Sequence, residues 1–492
     1  MIKLLNSKYV LLVYFFCLFI NANSQVTSFK QQKITIEALF DSLTNHTSID
    51  IAYDVNAIPH DSVINANFQN KHALQIVQEV LVHQNVDISY LNGQIIISKT
   101  LETAIQKEKS IRLIGTVYDK DDGTTLPLVN VTVMGKPLGS ITNNQGQYEF
   151  KLPSHYAGEQ LAFSFLGYHT SYFNVPQHDS LINIELQPTS IQLNEIEVTY
   201  KDPLKIIEQL QNHYPENYIN QQCVLEGFFR ESIKQDGAYV QVSEAIIQII
   251  KPSYAKPSSM ERVKFIKGRK KNDLQSMDFV DFKLEGGPFQ FSRVDIARYQ
   301  DFFSADNELY KYNYDGIDVL DEEIVYKVKF KPLTDDGDLL YYGILYIHAD
   351  SYALVRSEFH LTNRALRSSG RSLIRKASRK IKVKPMKASY FIDYRKLQDK
   401  WILNRIKGEI VVKINERKHK INSEFTATTE LLISDCEVNG KYKLKPSELY
   451  KSRFVLADQI KETDEQFWKN YNIIRPDESL EKVFKKTKVV SN

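Results

Sequence analysis

Residues 323–361 read EIVYKVKFKPLTDDGDLLYYGILYIHADSYALVRSEFHL. Ile324, Tyr326, Val328 and Phe330 alternate with Val325, Lys327, Lys329 and Lys331. That period of two suits a strand with one buried and one wet face. Asp336-Gly337 leads into a second run at 340–349, and Asp350-Ser351 turns the chain into a third at 353–361. The pattern extends both ways. Upstream, strands at 223–234 and 238–251 flank Gln235-Asp236-Gly237, a hairpin signal. Downstream, strands fall near 386–396, 400–415 and 421–436, and Asp202-Pro203 opens a short helix through about His213. Residues 200–492 therefore predict a large curved antiparallel sheet, half-barrel-like, with a helical tail.

About 290 residues are too few for a plug and a 22-stranded barrel at roughly 9–11 residues per strand. A small outer-membrane barrel of about thirteen strands is an alternative by length. The Lys residues on the wet faces count against it, because a charge facing lipid costs about 2–4 kcal/mol near the midplane. The segment GILYIHADSYALVRSEFHLT (343–362) resembles the paired strands of lipoprotein-carrier-like half-barrels, and that resemblance implies an acyl chain held in a concave face. The ending DEQFWKNYNIIRPDESLEKVFKK (464–486) looks like the tail of exported proteins that pair a carboxypeptidase-regulatory-like domain with an uncharacterised β-domain.

Residues 111–199 carry short alternating strands near 111–118, 129–134, 147–152, 160–165 and 181–186, separated by turn clusters at 119–123 and 143–146. This spacing argues for a β-sandwich. GTVYDKDDGTTLPLVNVTV (115–133), GSITNNQGQYEFKLP (139–153), FSFLGYHT (163–170) and LNEIEVTY (193–200) resemble the carboxypeptidase D regulatory-like, transthyretin-like domain. The resemblance implies a rigid adaptor without peptidase machinery. The acidic turn Asp119, Asp121, Asp122 lacks EF-hand spacing and reads as a solvated turn.

Residues 25–100 combine helix and strand. Ile36, Leu39, Phe40 and Leu43 form one helical stripe after a Thr35 cap; Leu74, Val77 and Leu81 form another after Asn70. Strands follow at 49–53 and 86–90, and Asn92-Gly93 signals a closing hairpin. IEALFDSL (36–43), ALQIVQEVL (73–81) and VDISYLNGQIIISK (86–99) resemble the short N-terminal domain of secretins and TonB-dependent transducers, which implies a docking or signalling module. Residues 100–110 read as a polar linker.

The N-terminus predicts export. Lys3 and Lys8 precede an apolar run at 9–20, and Ala22 and Ser24 stand at minus three and minus one before Gln25. The run is too short for a stable span, so 1–24 reads as a cleaved signal peptide. The chain of 492 residues has 63 Lys+Arg against 60 Asp+Glu, a formal charge of +3, so no global charge argues for nucleic acid. Composition is otherwise ordinary for globular domains, with 42% apolar and 25% charged residues, which excludes a fully disordered chain or a multi-span helical protein.

Chemical signatures are scarce. HExxH, GxSxG, P-loop and GxGxxG motifs are absent. His348 and His360 sit on neighbouring expected strands without obvious carboxylate partners. Glu285-Gly286-Gly287-Pro288 reads as a tight turn near a sheet mouth, a place that can line a pocket. Cys223 and Cys436 form one disulfide or remain two buried thiols. A basic run, with Arg364, Arg367, Arg371, Arg375, Lys376, Arg379 and Lys380 and no acid between 364 and 387, is a candidate contact for an anionic partner such as lipid phosphate or lipopolysaccharide. The expectation is a multidomain, mostly β, non-enzymatic envelope protein, periplasmic at the outer membrane, needing no cofactor or metal. It would dock envelope proteins through its N-terminal modules and bind a lipidic or protein ligand through residues 200–492. A TonB-linked transport or signalling accessory and a cryptic hydrolase are the other readings.

Overall fold

The computed structural model describes residues 26–99, 110–189, 201–272, 287–299, 309–369 and 381–485, except 54–57, 83, 85, 92, 257–258, 335–339, 417–420, 439–441, 443, 462–467 and 469–470. The expected signal segment, residues 100–109 of the expected 100–110 linker and LNEIEVTY lie outside the described residues, while Ser110 opens a strand. The chain divides into two compact units, one up to residue 108 and one from 109 onward. No described helix is long and apolar enough to cross a membrane.

In the first unit, β1 (Val26–Thr35) leads into α1 (Ile36–Thr47), β2 (Asp50–Tyr53), β3 (Val63–His72), α2 (Ala73–Val80), β4 (Val86–Leu91) and β5 (Gln94–Lys99). β1 pairs antiparallel with β3; β5 lies parallel to β2 and antiparallel to β4. Thr35 Oγ1 accepts the Ala38 N–H at 3.2 Å, capping α1 where the sequence places the cap. Leu39, Phe40 and Leu43 are buried on the expected stripe. The second cap differs. Asn70 stays in β3 with φ +49°, and His72 is the N-cap of α2, its N–H donating to the Gln75 side chain at 3.1 Å.

The second unit opens with a sandwich: β6 (Ser110–Asp119), β7 (Asn130–Val133), β8 (Gly139–Ile141), β9 (Gln147–Pro153), β10 (Gln160–Ser164), β11 (Ser171–Asn174), β12 (Ser180–Leu181) and β13 (Ile184–Leu186). One sheet has the order β11-β10-β7-β8, and β9, β12 and β13 pair with β6 in the other. Leu113, Val131, Tyr148, Phe150 and Phe163 fill the space between them. Gly146 has φ +71°, and a Cβ there would meet Thr125 at 2.8 Å, so the turn needs glycine.

Then follow α3 (Pro203–Asn217), β14 (Cys223–Gln235), β15 (Ala238–Lys251), β16 (Arg262–Asn272), α4 (Gly287–Ser292), β17 (Tyr310–Leu320), β18 (Glu323–Pro332), β19 (Tyr341–His348), β20 (Leu354–Leu361), α5 (Asn363–Ser369), β21 (Ile381–Leu397), β22 (Lys400–Glu416), β23 (Ile421–Val438), α6 (Leu456–Gln459) and α7 (Glu478–Lys485). Ten of these strands form one antiparallel sheet, ordered β16-β15-β14-β23-β22-β21-β20-β19-β18-β17. Its edge strands β16 and β17 do not pair, so the barrel alternative is overturned: the sheet stays open. Asp236 and Gly237, both at positive φ (48° and 87°), turn β14 into β15 in the type I′ manner the sequence signals.

Neither face of this sheet is simply wet, and here the sequence expectation needs correction. One face packs against α3 and residues 287–299. The other is covered in its centre by the sandwich. Ile141 joins Phe228, Ile246, Leu432 and Trp468 in one apolar cluster. Asn404 Nδ2 donates to Asn130 Oδ1 at 2.9 Å. The Arg356 guanidinium stands over Phe165 at 5.8 Å. Trp468 and residues 471–476 strap the two together: Asn472 Oδ1 accepts the Lys151 N–H at 2.7 Å, and its Nδ2 donates to Lys151 O at 3.0 Å. Leu166 of the sandwich packs against the cluster that holds Val325. Val325 is accordingly fully buried, whereas Ile324, expected inside, is 37% exposed. The alternation is correct as strand geometry, but a second layer reverses the burial at this end.

Candidate functional site

The face of the sheet opposite the sandwich is the first place to look for a ligand, because the half-barrel resemblance implies a groove there. The chain itself fills much of it. Ile206, Ile207, Leu210 and Tyr214 of α3 pack onto Phe229, Ile247 and Leu431, and Ile296 joins the same cluster. Residues 295–298 are fixed by a buried polar network. Asp295 takes Lys251 Nζ at 2.6 Å and the hydroxyls of Tyr254 and Tyr394, each at 2.7 Å. Glu261 pairs with Arg298 Nε at 3.0 Å and Lys251 at 3.4 Å, and Arg298 also donates to the carbonyls of Pro252 and Ser253. Burial, then the charge of Asp295, raise both tyrosines well above their ordinary pKa, so both hydroxyls remain donors. Every charged member is essentially without solvent exposure, and each has a partner. The network works as an internal clamp.

Cys223 and Cys436 border this core. Leu225 stands opposite Cys436, and Cys223 opposite Val438, so the cysteines are diagonal neighbours on β14 and β23. Both are buried thiols in hydrogen-bond contact. That contact and burial raise the Cys436 thiol. Native protein is expected to resist a maleimide reagent at both positions and to be labelled only after unfolding. Rapid labelling of the folded chain contradicts this packing.

The clearest opening lies at the β16 edge. Tyr450 N–H donates to Val263 O at 2.7 Å, and Leu449 bridges to Lys264, so residues 449–450 cover the start of the edge strand. Beside this contact lies an open cleft of about 510 Å³. Val263, Phe289, Leu449 and Tyr450 make its floor, and Arg262, Lys451 and Arg453 its rim. The one acid in the lining, Glu261, is consumed by Lys251 and Arg298. Met260 and Ile266, 59% and 38% exposed, extend the apolar surface along the same edge.

Behind Tyr450 sits an unusual carboxyl group. Glu231 is buried on β14, facing Ser243 and Thr429 across the ladder, and its Oε1 has no hydrogen-bond partner. Burial alone pushes its pKa up to about 8. The Tyr450 hydroxyl is likewise buried and unpartnered. Gly287 separates the two: a Cβ there would lie 2.9 Å from the Tyr450 hydroxyl and 3.2 Å from Glu231 Oε1, and its φ is +31°. Of the tight turn noted in the sequence, Glu285 and Gly286 lie outside the described residues, while Gly287 does sit against a pocket wall.

The other residues singled out by sequence are dispersed. Arg364 and Arg367 are exposed on α5; Arg371, Arg375, Lys376, Arg379 and Lys380 lie outside the described residues. His360 stands opposite Tyr342, six residues along β19 from His348, so the two imidazoles are roughly 20 Å apart at strand rise. His348 instead joins Glu323 through Nε2 at 2.7 Å and the Ser351 Oγ through Nδ1 at 2.9 Å. This superficially resembles a hydrolase relay. However, Nδ1 also accepts the Ser351 N–H at 3.0 Å, and Glu323 is shared with Lys396 at 2.6 Å. The imidazole is thus occupied on both nitrogens in fastening the β19–β20 turn, and has no lone pair to take the serine proton. In the first unit, Glu37, His60 and Asp61 bring ligand atoms within 4.8 Å of one another at the surface, a grouping split across 24 residues that sequence reading missed.

Residues 113–198 match the family model of the CarboxypepD_reg-like domain, which spans nearly all of the sandwich. No curated protein matches the chain. Among solved structures, the chain is similar to a putative outer membrane lipoprotein-sorting protein domain from Vibrio parahaemolyticus, at 10% identity over 49% of this chain and 95% of that one, with a TM-score of 0.24. It is also similar to a DUF1329 family protein from Desulfovibrio piger, at 12% identity over 49% and 96%, again with a TM-score of 0.24. The second unit thus combines a CarboxypepD_reg-like sandwich with an open ten-stranded sheet.

Proposed function

We propose that this chain is an exported, non-enzymatic cell-envelope protein that binds an anionic amphiphile in the cleft at the β16 edge. The observation that carries the reading is the cleft's division of labour: an apolar floor of Val263, Phe289, Leu449 and Tyr450 under a cationic rim of Arg262, Lys451 and Arg453. An apolar chain gains from leaving water, and an anionic head gains from three cations whose local acid is already neutralised. The volume falls in the usual range for ligand sites. The apolar run at 9–20 after Lys3 and Lys8, read as a signal peptide, supports export to the periplasm, and a lipidic ligand would fit residence at the outer membrane. The N-terminal unit, with its likeness to secretin and TonB-transducer domains, would dock an envelope protein; the sandwich would be a rigid adaptor fixed to the sheet.

Displacement of a fluorescent fatty acid by dodecanoate tests the site. Arg262→Gln, Lys451→Gln and Arg453→Gln combined should weaken dodecanoate by up to about 100-fold at low salt, at roughly 1 kcal/mol per basic residue. Leu449→Asp should abolish binding of the chain. Equal displacement in wild type and both variants would sink the assignment.

A further inference from the structure

A second cleft, about 130 Å³, lies between the sandwich, the sheet and the C-terminal strap. Its floor comes from three strands in register. Ser232 stands opposite Thr428, and Thr428 opposite Glu409; in the next row Lys234 faces Thr426. Arg230 and Lys407 both stand opposite Glu430 at the other end. One wall is the sandwich loop at 142–144, and the other is the strap at 474–480. The walls are tied to each other and to the floor. Asn143 Nδ2 reaches Pro476 O at 3.5 Å, Gln145 Oε1 accepts the Glu478 N–H at 3.3 Å, and Lys407 Nζ reaches Asn144 Oδ1 at 3.4 Å. The cleft is therefore preformed, at a boundary between structural parts where ligand sites concentrate.

Its chemistry selects a ligand class. Four cations (Arg230, Lys234, Lys407, Arg475) face three carboxylates (Glu409, Glu430, Asp477), and much of this charge is internally spent. Arg230 is bound to Glu244 at 2.7 Å and Glu430 at 3.3 Å, and Glu409 to Lys387 at 2.9 Å. The cleft holds charges of both signs in near balance, so neither a small anion nor a metal ion meets a field of one sign, and a wholly apolar group meets a polar floor. What remains in the lining is the hydroxyls of Ser232, Thr426 and Thr428 and the Asn144 amide, beside the apolar or aromatic side chains of Leu128, Tyr239, Ile474 and Leu480. Vicinal hydroxyls, each able to donate and accept, match that row of strand hydroxyls, and Leu128, Tyr239 and Ile474 offer apolar surface to the ring carbons. We infer that this interdomain cleft binds a neutral saccharide unit. The volume accommodates about one small ring, below the size of a drug-like site. The site is separate from the amphiphile cleft and does not depend on it.

The test is saturation-transfer NMR on the whole mature chain with glucose, N-acetylglucosamine and maltose as probes, and with glycerol and inorganic phosphate as controls. At least one saccharide should bind saturably while phosphate does not. Thr426→Val with Thr428→Val keeps the side-chain shapes and removes two hydroxyls. It should weaken the saccharide about tenfold or more, with an unchanged melting temperature and unchanged dodecanoate binding. Asn144→Ala, in the exposed sandwich loop, should weaken it about three- to tenfold and serves if the double variant folds poorly. The inference is overturned if no saccharide in the panel binds, if phosphate competes, or if binding is the same in wild type and Asn144→Ala.

Discussion

Asp295→Ala is expected to cost about 3–5 kcal/mol of stability in the second unit, the range for breaking a buried ion pair. Asp295 has no solvent exposure, and its two oxygens satisfy Lys251, Tyr254 and Tyr394 together. Truncation leaves an ammonium whose remaining acid, Glu261, is 3.4 Å away, and two hydroxyls with no acceptor at that position. The clamp holds 295–298 against Pro252 and Ser253, so the loss should loosen the segment that shapes the Phe289 side of the cleft as well as the fold. Pairing Asp295→Leu with Lys251→Met should recover part of the loss, because no orphan charge remains. Denaturant unfolding monitored by tyrosine fluorescence reads both effects. A single-variant change below about 1 kcal/mol contradicts the role assigned to the clamp.

Glu231→Gln should reverse the usual expectation for a buried polar substitution and stabilise the protein at alkaline pH. The folded pKa, about 8, lies above the ordinary value of 4.5. The folded state therefore holds a proton that the unfolded state releases. This contribution is complete below about pH 4.5 and is lost as pH rises through about 8; the span of some 3.5 units corresponds to about 4–5 kcal/mol. Wild type should thus lose stability steadily across that window, and Gln, which never ionises, should flatten the loss. Ser243, Thr429, Gly287 and Tyr450 surround the group from β15, β23 and the covering segments, and burial alone drives the shift. Parallel pH–stability profiles for wild type and variant would show that Glu231 is ionised or solvated in the fold.

Strands were legible wherever alternation met a turn signal. The Asp236-Gly237 hairpin, the three strands of 323–361 and the long β21–β23 meander follow from period two alone. β16 was not legible, because six Arg and Lys residues in its eleven positions hide its alternation; an edge strand uses such charges to discourage pairing. β17 was missed for a different reason: its bulge between Tyr314 and Ile317, around Asp315-Gly316, interrupts the period. The cleft at the β16 edge could not be assembled from sequence, since Val263, Phe289 and Tyr450 meet only through long-range packing. The one local trace was the glycine turn ending at Gly287, whose missing side chain makes room for Glu231 and Tyr450. The Ile324–Val325 reversal shows the same limit, because periodicity reports which residues share a face and cannot report which layer will cover it.

Native mass spectrometry of the protein, purified from its native source without detergent exchange, bears most directly on the proposed amphiphile binding. The reading predicts an adduct whose released component is anionic and carries an alkyl chain, present in wild type and lost when Arg262, Lys451 and Arg453 are all replaced by Gln. A bare polypeptide mass, or an adduct retained unchanged by that variant, would contradict it.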